Sequence, residues 1–180
     1  MFILKGRILI CATASINVIN ITHYIVDLKQ YFEEVNIILS PNSEKFQNPK
    51  LLESFCDKVY DSKDDFLNHV EISNEHDYVL VLPASANTIG KIANGICDNI
   101  LTTVCISSYE KLYIFPNMNI IMWKNPFLQE NIKKLKSKGI RVYIPQEAKV
   151  FDLSSKKYKE NIVMPSVESL VDYIVKNDDQ

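Results

Sequence analysis

Strand and helix signals alternate along all 180 residues, and they predict an α/β fold: one domain, built as a three-layer, doubly wound, Rossmann-like or flavodoxin-like parallel sheet. Three observations carry that expectation. Short β-branched runs recur between amphipathic stretches. The run Tyr78-Val79-Leu80-Val81-Leu82 is apolar at every position, as a parallel strand covered on both faces would be. The length suits a single domain able to bury a core without disulfides or metal.

Residues 7–11 read as the first strand and residues 16 to about 32 as an amphipathic helix, with Ser15 placed to cap it. Residues 35–39 form the second strand, closed by Ser40-Pro41. Asn48 caps a short helix through Cys56, with Pro49 at the first helical position, where its missing N–H is not needed. Lys58-Val59-Tyr60 offers a third strand and residues 78–82 the fourth. A helix over residues 88–94 stops at Gly95, which takes the left-handed conformation of a helix terminator at no steric cost. Asp98 caps a further helix over residues 99–105. Residues 112–115 are the next strand, residues 126–138 a helix stopped by Gly139, and residues 140–144 the last parallel strand. Residues 145–164 break the alternation, with many Lys and Ser and little apolar periodicity, before Pro165-Ser166 cap a terminal helix through Val175. That stretch reads either as a disordered surface loop or as a functional lid, since structureless loops of such length are uncommon in compact domains.

With 20 basic and 22 acidic residues the net charge is -2, and no block of one sign suggests nucleic acid or a membrane surface as partner. Lys133, Lys134, Lys136 and Lys138 alternate with apolar positions as a solvated helix face does. Cys11, Cys56, Cys97 and Cys105 contain no Cys-x-x-Cys pair and no ligand spacing with the three histidines, so reduced thiols and no metal are expected. The start imitates a secretory signal, but its apolar stretch falls short of the roughly 7 to 15 residues such a signal needs. No apolar run reaches the roughly 18 to 20 residues of a membrane span. A cytoplasmic chain is expected, in which the sequon Asn20-Ile21-Thr22 goes unused.

Two motifs point to chemistry. Pro83-Ala84-Ser85-Ala86-Asn87-Thr88 follows an apolar strand and opens a helix, a position where backbone N–H groups and the helix dipole cradle phosphate. Ala14, Ser15 and Ile16 occupy the equivalent turn after the first strand, and Ser40 ends the second. Pro116-Asn117-Met118-Asn119-Ile120-Ile121-Met122-Trp123 follows another apolar strand, at the carboxyl end where ligands bind in open α/β sheets. A buried Asn such as Asn119 is either a backbone tie in a turn or a ligand contact. Met118, Met122 and Trp123 fit best as packing around an aromatic ring. His23 and His76 read as structural or exposed.

From residue 8 to about 174 the chain resembles the homo-oligomeric flavin-containing cysteine decarboxylases, and within them the epidermin-type lantibiotic branch. The resemblance rests on Ile10 through Asn17, on Asn68-His69, on Pro83 through Thr103 with its Gly95-Ile96-Cys97-Asp98-Asn99, and on Pro116 through Trp123. It implies FMN as cofactor, with Ala14, Ser15, Ile16, Ser40, Ser85, Ala86, Asn87, Thr88 and Asn117 around it. Position 14 is often Gly in the family; Ala14 is small enough for a similar approach. The resemblance also implies His69 as the catalytic histidine. An imidazole can accept a thiol proton near neutral pH. Asn119 would be catalytic too, beside the flavin and the substrate carboxylate, with Met122, Pro145 and Phe151 as further substrate contacts. Residues 145–164 resemble a substrate-covering clamp, expected as a mobile lid anchored by Phe151 or Tyr158. The partners implied are a precursor peptide ending in Cys and further copies of the chain, as trimers that assemble into dodecamers with the active site at a subunit boundary.

The reaction implied is oxidative decarboxylation of the peptide's C-terminal cysteine: a thioaldehyde serves as electron sink for loss of carbon dioxide and an aminoenethiol remains. In the coenzyme A branch a late clamp cysteine returns the electrons. Here the last cysteine is Cys105, so the product is expected to stay oxidised. The alternatives are a phosphopantothenoylcysteine decarboxylase and a non-catalytic flavin-binding regulatory subunit.

Overall fold

The computed structural model describes residues 6–60, 68–152 and 155–178. Its central sheet has six parallel strands in the order β3-β2-β1-β4-β5-β6. They are β1 (Arg7–Ala12), β2 (Glu34–Leu39), β3 (Lys58–Tyr60), β4 (Tyr78–Ala84), β5 (Leu112–Pro116) and β6 (Arg141–Val142). The helices are α1 (Ile21–Leu28), α2 (Pro49–Leu52), α3 (His69–Glu75), α4 (Ala86–Ala93), α5 (Ile100–Ser107), α6 (Ile120–Trp123), α7 (Pro126–Ser137) and α8 (Val167–Asp178). Two further strands, β7 (Glu147–Asp152) and β8 (Lys157–Ile162), form a separate antiparallel pair.

Period two along each strand divides the core into two layers. Ile8, Ile10 and Ala12 of β1, with Leu80 and Leu82 of β4 and Tyr113 and Phe115 of β5, pack against α1 and α8 through Ile21, Ile25, Leu170 and Ile174. Leu9 and Cys11, with Val79, Val81 and Ile114, face α4, α5 and α7 on the other side. Every residue of β4 is buried, because helices cover both of its faces. The order β3-β2-β1 followed by β4-β5-β6 reverses direction between β1 and β4. A crevice therefore opens at the carboxyl ends of those two strands.

The strands, the Asn48-Pro49 helix start and both glycine stops agree with expectation. Gly95 has φ +70° and Gly139 φ +83°. Six features differ. Residues 16–20 form a 3-10 turn before α1, and Ser15 makes no side-chain cap there. The helix after Asn48 ends at Leu52. α3, beginning at His69, and α6, beginning after Asn119, carried no sequence signal strong enough to be read, since each is a short element defined by tertiary packing. α4 begins at Ala86, capped by Ser85. The cap of α5 is Asn99, in a reciprocal capping box with Thr102, while Asp98 pairs with Lys91. The sixth is in residues 145–164, which hold the β7–β8 hairpin where no regular element was read.

Candidate functional site

Backbone and side-chain bonds tie the carboxyl ends of four neighbouring strands together. The Thr13 hydroxyl donates to the Pro83 carbonyl at 2.7 Å and accepts from Ser85 N–H at 2.8 Å, linking the end of β1 to the end of β4. Asn117 N–H reaches the Ala84 carbonyl at 2.9 Å, joining β5 to β4, and Ser40 N–H reaches the Ala12 carbonyl at 2.9 Å, joining β2 to β1. The turns that follow these strands are thereby fixed around one space.

That space is a cavity of about 1130 Å³. It exceeds the roughly 300–1,000 Å³ of a typical small-molecule site, which leaves room for two ligands side by side. Of the residues singled out above, Ala14, Ser15, Ile16, Ser40, Ser85, Ala86, Asn87, Thr88, Asn117, Asn119, Met122 and Phe151 all line it. At its floor α4 begins, with Ser85 as N-cap accepting from Thr88 N–H at 3.3 Å. The other N–H groups of that first turn have no acceptor within the helix and carry the positive end of its dipole, which suits an anion. The Ser40 hydroxyl is engaged locally with Ser43, 3.0 Å away.

Two asparagines from the end of β5 contribute differently. Asn117 is 4% exposed, and its side-chain oxygen accepts from the Ser15 hydroxyl and from Asn17 Nδ2. Asn119 is exposed and lines the cavity; its oxygen caps α6 by accepting from Met122 N–H at 2.9 Å, and its amide N–H groups have no partner among the described residues. The alternatives left open by the sequence, backbone tie or ligand contact, are compatible in this geometry.

The hairpin forms the opposite wall through Val150, Phe151, Asn161 and Ile162. Tyr24 secures the chain where it returns from the hairpin, donating its hydroxyl to the Pro165 carbonyl at 2.6 Å; burial holds that hydroxyl's pKa up at about 12. Phe151 and Tyr158 sit opposite one another in register with rings edge-on at 5.6 Å, both exposed. The two rings meet edge-on across the hairpin, and Phe151 also lines the cavity.

Sequence reading missed the ion pair at the side of the cavity. Lys91, one turn beyond Thr88, holds Asp98 at 2.5 Å and keeps its carboxyl below the usual carboxylate range. It also missed Asn17, although Asn17 ends the Ile10–Asn17 stretch on which the family resemblance rests. His69 is half-buried as the first residue of α3, which packs on α5, and it is absent from the cavity wall formed by one chain. Pro145 is buried ahead of β7 and is likewise absent from that wall. Among the described residues no helix is long and apolar enough to cross a membrane.

Comparison with known proteins gives a consistent picture. A family model described as "Flavoprotein" matches residues 3–178. The chain is 60% identical over 174 residues to epidermin decarboxylase of Staphylococcus epidermidis, covering 96% of each. A solved structure of an EpiD variant complexed with the substrate peptide DSYTC superposes with a TM-score of 0.93 at 60% identity, covering 96% of this chain and 99% of that one. The FMN-dependent cysteine decarboxylase TvaF from thioviridamide biosynthesis superposes at 0.72 with 28% identity, covering 78% of this chain and 90% of that one.

Proposed function

Because the chain belongs to the flavoprotein family, we propose that it is an FMN-dependent peptidyl-cysteine decarboxylase acting on the C-terminal cysteine of a lantibiotic precursor peptide. The observation that carries this reading is the single cavity in which the two motifs meet: an anion-binding helix start on one side, amide donors on the other, and volume for a flavin beside a peptide end. Identity of 60% with epidermin decarboxylase along nearly the whole chain supports the choice of substrate.

The residues fit the cofactor. The first turn of α4 would hold the phosphate. Bound there, the flavin supplies the two-electron acceptor for the Cα–Cβ–S unit of the peptide's last residue. Asn119 orients the terminal carboxylate with its amide N–H groups. A neutral amide does so without the strong stabilisation that Arg would give to a group that must leave as carbon dioxide. The hairpin closes the cavity's far side and excludes water. With no cysteine after Cys105, nothing in the clamp returns electrons to the product, which remains an aminoenethiol.

His69 takes the thiol proton, and it does so from a neighbouring copy. Its absence from the cavity wall of one chain fits an active site shared at the boundary of a homo-oligomer, which we read as trimers assembled into dodecamers. Val70 beside it is 56% exposed and Ile121, in α6, 81%, apolar surface of the kind that subunits cover.

Purified protein carrying FMN, incubated in air with a peptide ending in Cys, is expected to yield a product lighter by carbon dioxide and two hydrogens. A product lighter by carbon dioxide alone would instead favour net non-oxidative decarboxylation, the reaction of the coenzyme A branch. A peptide amide is expected to be inert, since it lacks the leaving group.

A further inference from the structure

Polar side chains lining the cavity form a relay that runs in one direction, from exposed Asn20 to buried Asn117. Asn20 Nδ2 donates to Asn17 Oδ1 at 3.4 Å, Asn17 Nδ2 donates to Asn117 Oδ1 at 3.0 Å, and the Ser15 hydroxyl donates to the same Asn117 oxygen. Asn117 is also pinned by its backbone, through its N–H bond to Ala84. An amide presents a donor or an acceptor depending on which way round it sits. Here two donors converge on the oxygen, and turning Asn117 over would set its NH₂ against the NH₂ of Asn17. The amide nitrogen, with no partner among the described residues, is left as the group to be satisfied by a ligand.

Resting on the flavin reading above, we propose that Asn117 donates this N–H to an acceptor of the flavin ring, and that Asn17 and Ser15 are positioning residues that hold Asn117 in the donor orientation. The ring system offers several carbonyl and imine acceptors against a single N–H donor, so a donor-only side chain is its complement. The two asparagines of the second motif then divide the work by depth: buried Asn117 serves the ring, exposed Asn119 the peptide carboxylate. The Ser15 hydroxyl donates to Asn117, which gives Ser15 a positioning role. A donor at the ring stabilises the more electron-rich reduced form, so the relay raises the potential of the bound flavin and favours oxidation of the cysteine.

The test compares wild type, Asn117→Asp and Asn17→Ala by FMN dissociation constant and by the two-electron potential of the bound flavin. Asn117→Asp replaces the donor by a charge of the same size; FMN should bind about tenfold more weakly, and the potential should fall by about 30 mV, a tenfold shift in a two-electron equilibrium. Asn17→Ala frees the amide to turn and should move both in the same direction by about threefold, roughly 15 mV. A purely structural role would weaken FMN without moving the potential. Wild-type potential in both variants, with wild type binding FMN, overturns the proposal. Should Asn117→Asp fail to fold, the potential of Asn17→Ala decides. Wild type that takes up no FMN overturns the flavin reading and this proposal with it.

Discussion

Asn117 and Asn119 are two residues apart and chemically identical, yet burial and local bonding give them different tasks. The oxygen of Asn119 caps a helix, that of Asn117 ends a relay, and neither amide nitrogen has a hydrogen-bond partner among the described residues. Sequence brought both to notice through one motif but could not rank them, because side-chain polarity depends on partners such as Ser15 and Asn17, about a hundred positions away. His69 poses the opposite case: the motif marks it, and the single chain leaves it off the cavity wall. His69→Asn should keep FMN and lose turnover, since the imidazole is assigned to the thiol proton. Retention of more than about a tenth of the wild-type rate would contradict a general-base role worth on the order of 10²- to 10⁴-fold. Mixed oligomers of His69→Asn with Asn119→Ala should regain activity that neither variant has alone, because some boundaries then combine an intact histidine with an intact cavity.

At the scale of elements, α4 shows a stop that sequence reading located correctly. Gly95 N–H bonds to the Ile92 carbonyl at 3.2 Å and Ile96 N–H to the Lys91 carbonyl at 2.9 Å, the paired closure that requires a left-handed residue between them. A Cβ at Gly95 would meet nothing within 4 Å, so only backbone strain opposes a side chain there. Gly95→Ala should lower unfolding stability by about 1 kcal/mol, measured by urea titration. Its FMN affinity should be unchanged, because Gly95 lies at the end of α4 remote from the Ser85 cap. The hairpin was illegible for a physical reason. Lys149, Lys157, Lys159 and Glu160 are exposed, and few residues of either strand are buried. The alternation that betrays a half-buried strand is therefore missing, and cross-strand pairing specifies the element instead.

At the scale of the whole molecule, the end of the sheet opposite the cavity holds a histidine that ties stability to pH. His76 is 1% exposed; it shares a 3.0 Å hydrogen bond with Asn36 and donates from Nδ1 to the Ile72 carbonyl at 2.6 Å. Burial pushes its pKa below the usual histidine value, a lowering that the Ile72 contact only partly offsets. The folded chain then binds that proton less readily than the unfolded one. Its contribution is complete above the unfolded pKa of about 6.5 and declines as pH falls from there towards the folded value. Urea midpoints at pH 7.5 and 5.5 should therefore show wild type losing stability on acidification, and His76→Gln losing less. Asp57 adds the same sign at lower pH. Burial raises its pKa, but Lys29 and the Val35 N–H outweigh that and hold it below the usual carboxylate range.

By itself the sequence determined the class of fold, the six parallel strands and the two motifs of the cavity, because each is written in short-range periodicity, in caps such as Asn48-Pro49 and in small residues after strands. Only the tertiary structure decided the strand order. Local pattern cannot say on which side of β1 the chain re-enters the sheet, and that choice creates the crevice between β1 and β4. It likewise decided the donor polarity of Asn117, the hairpin wall and the distance of His69 from the cavity, all of which depend on residues far apart in sequence meeting in space.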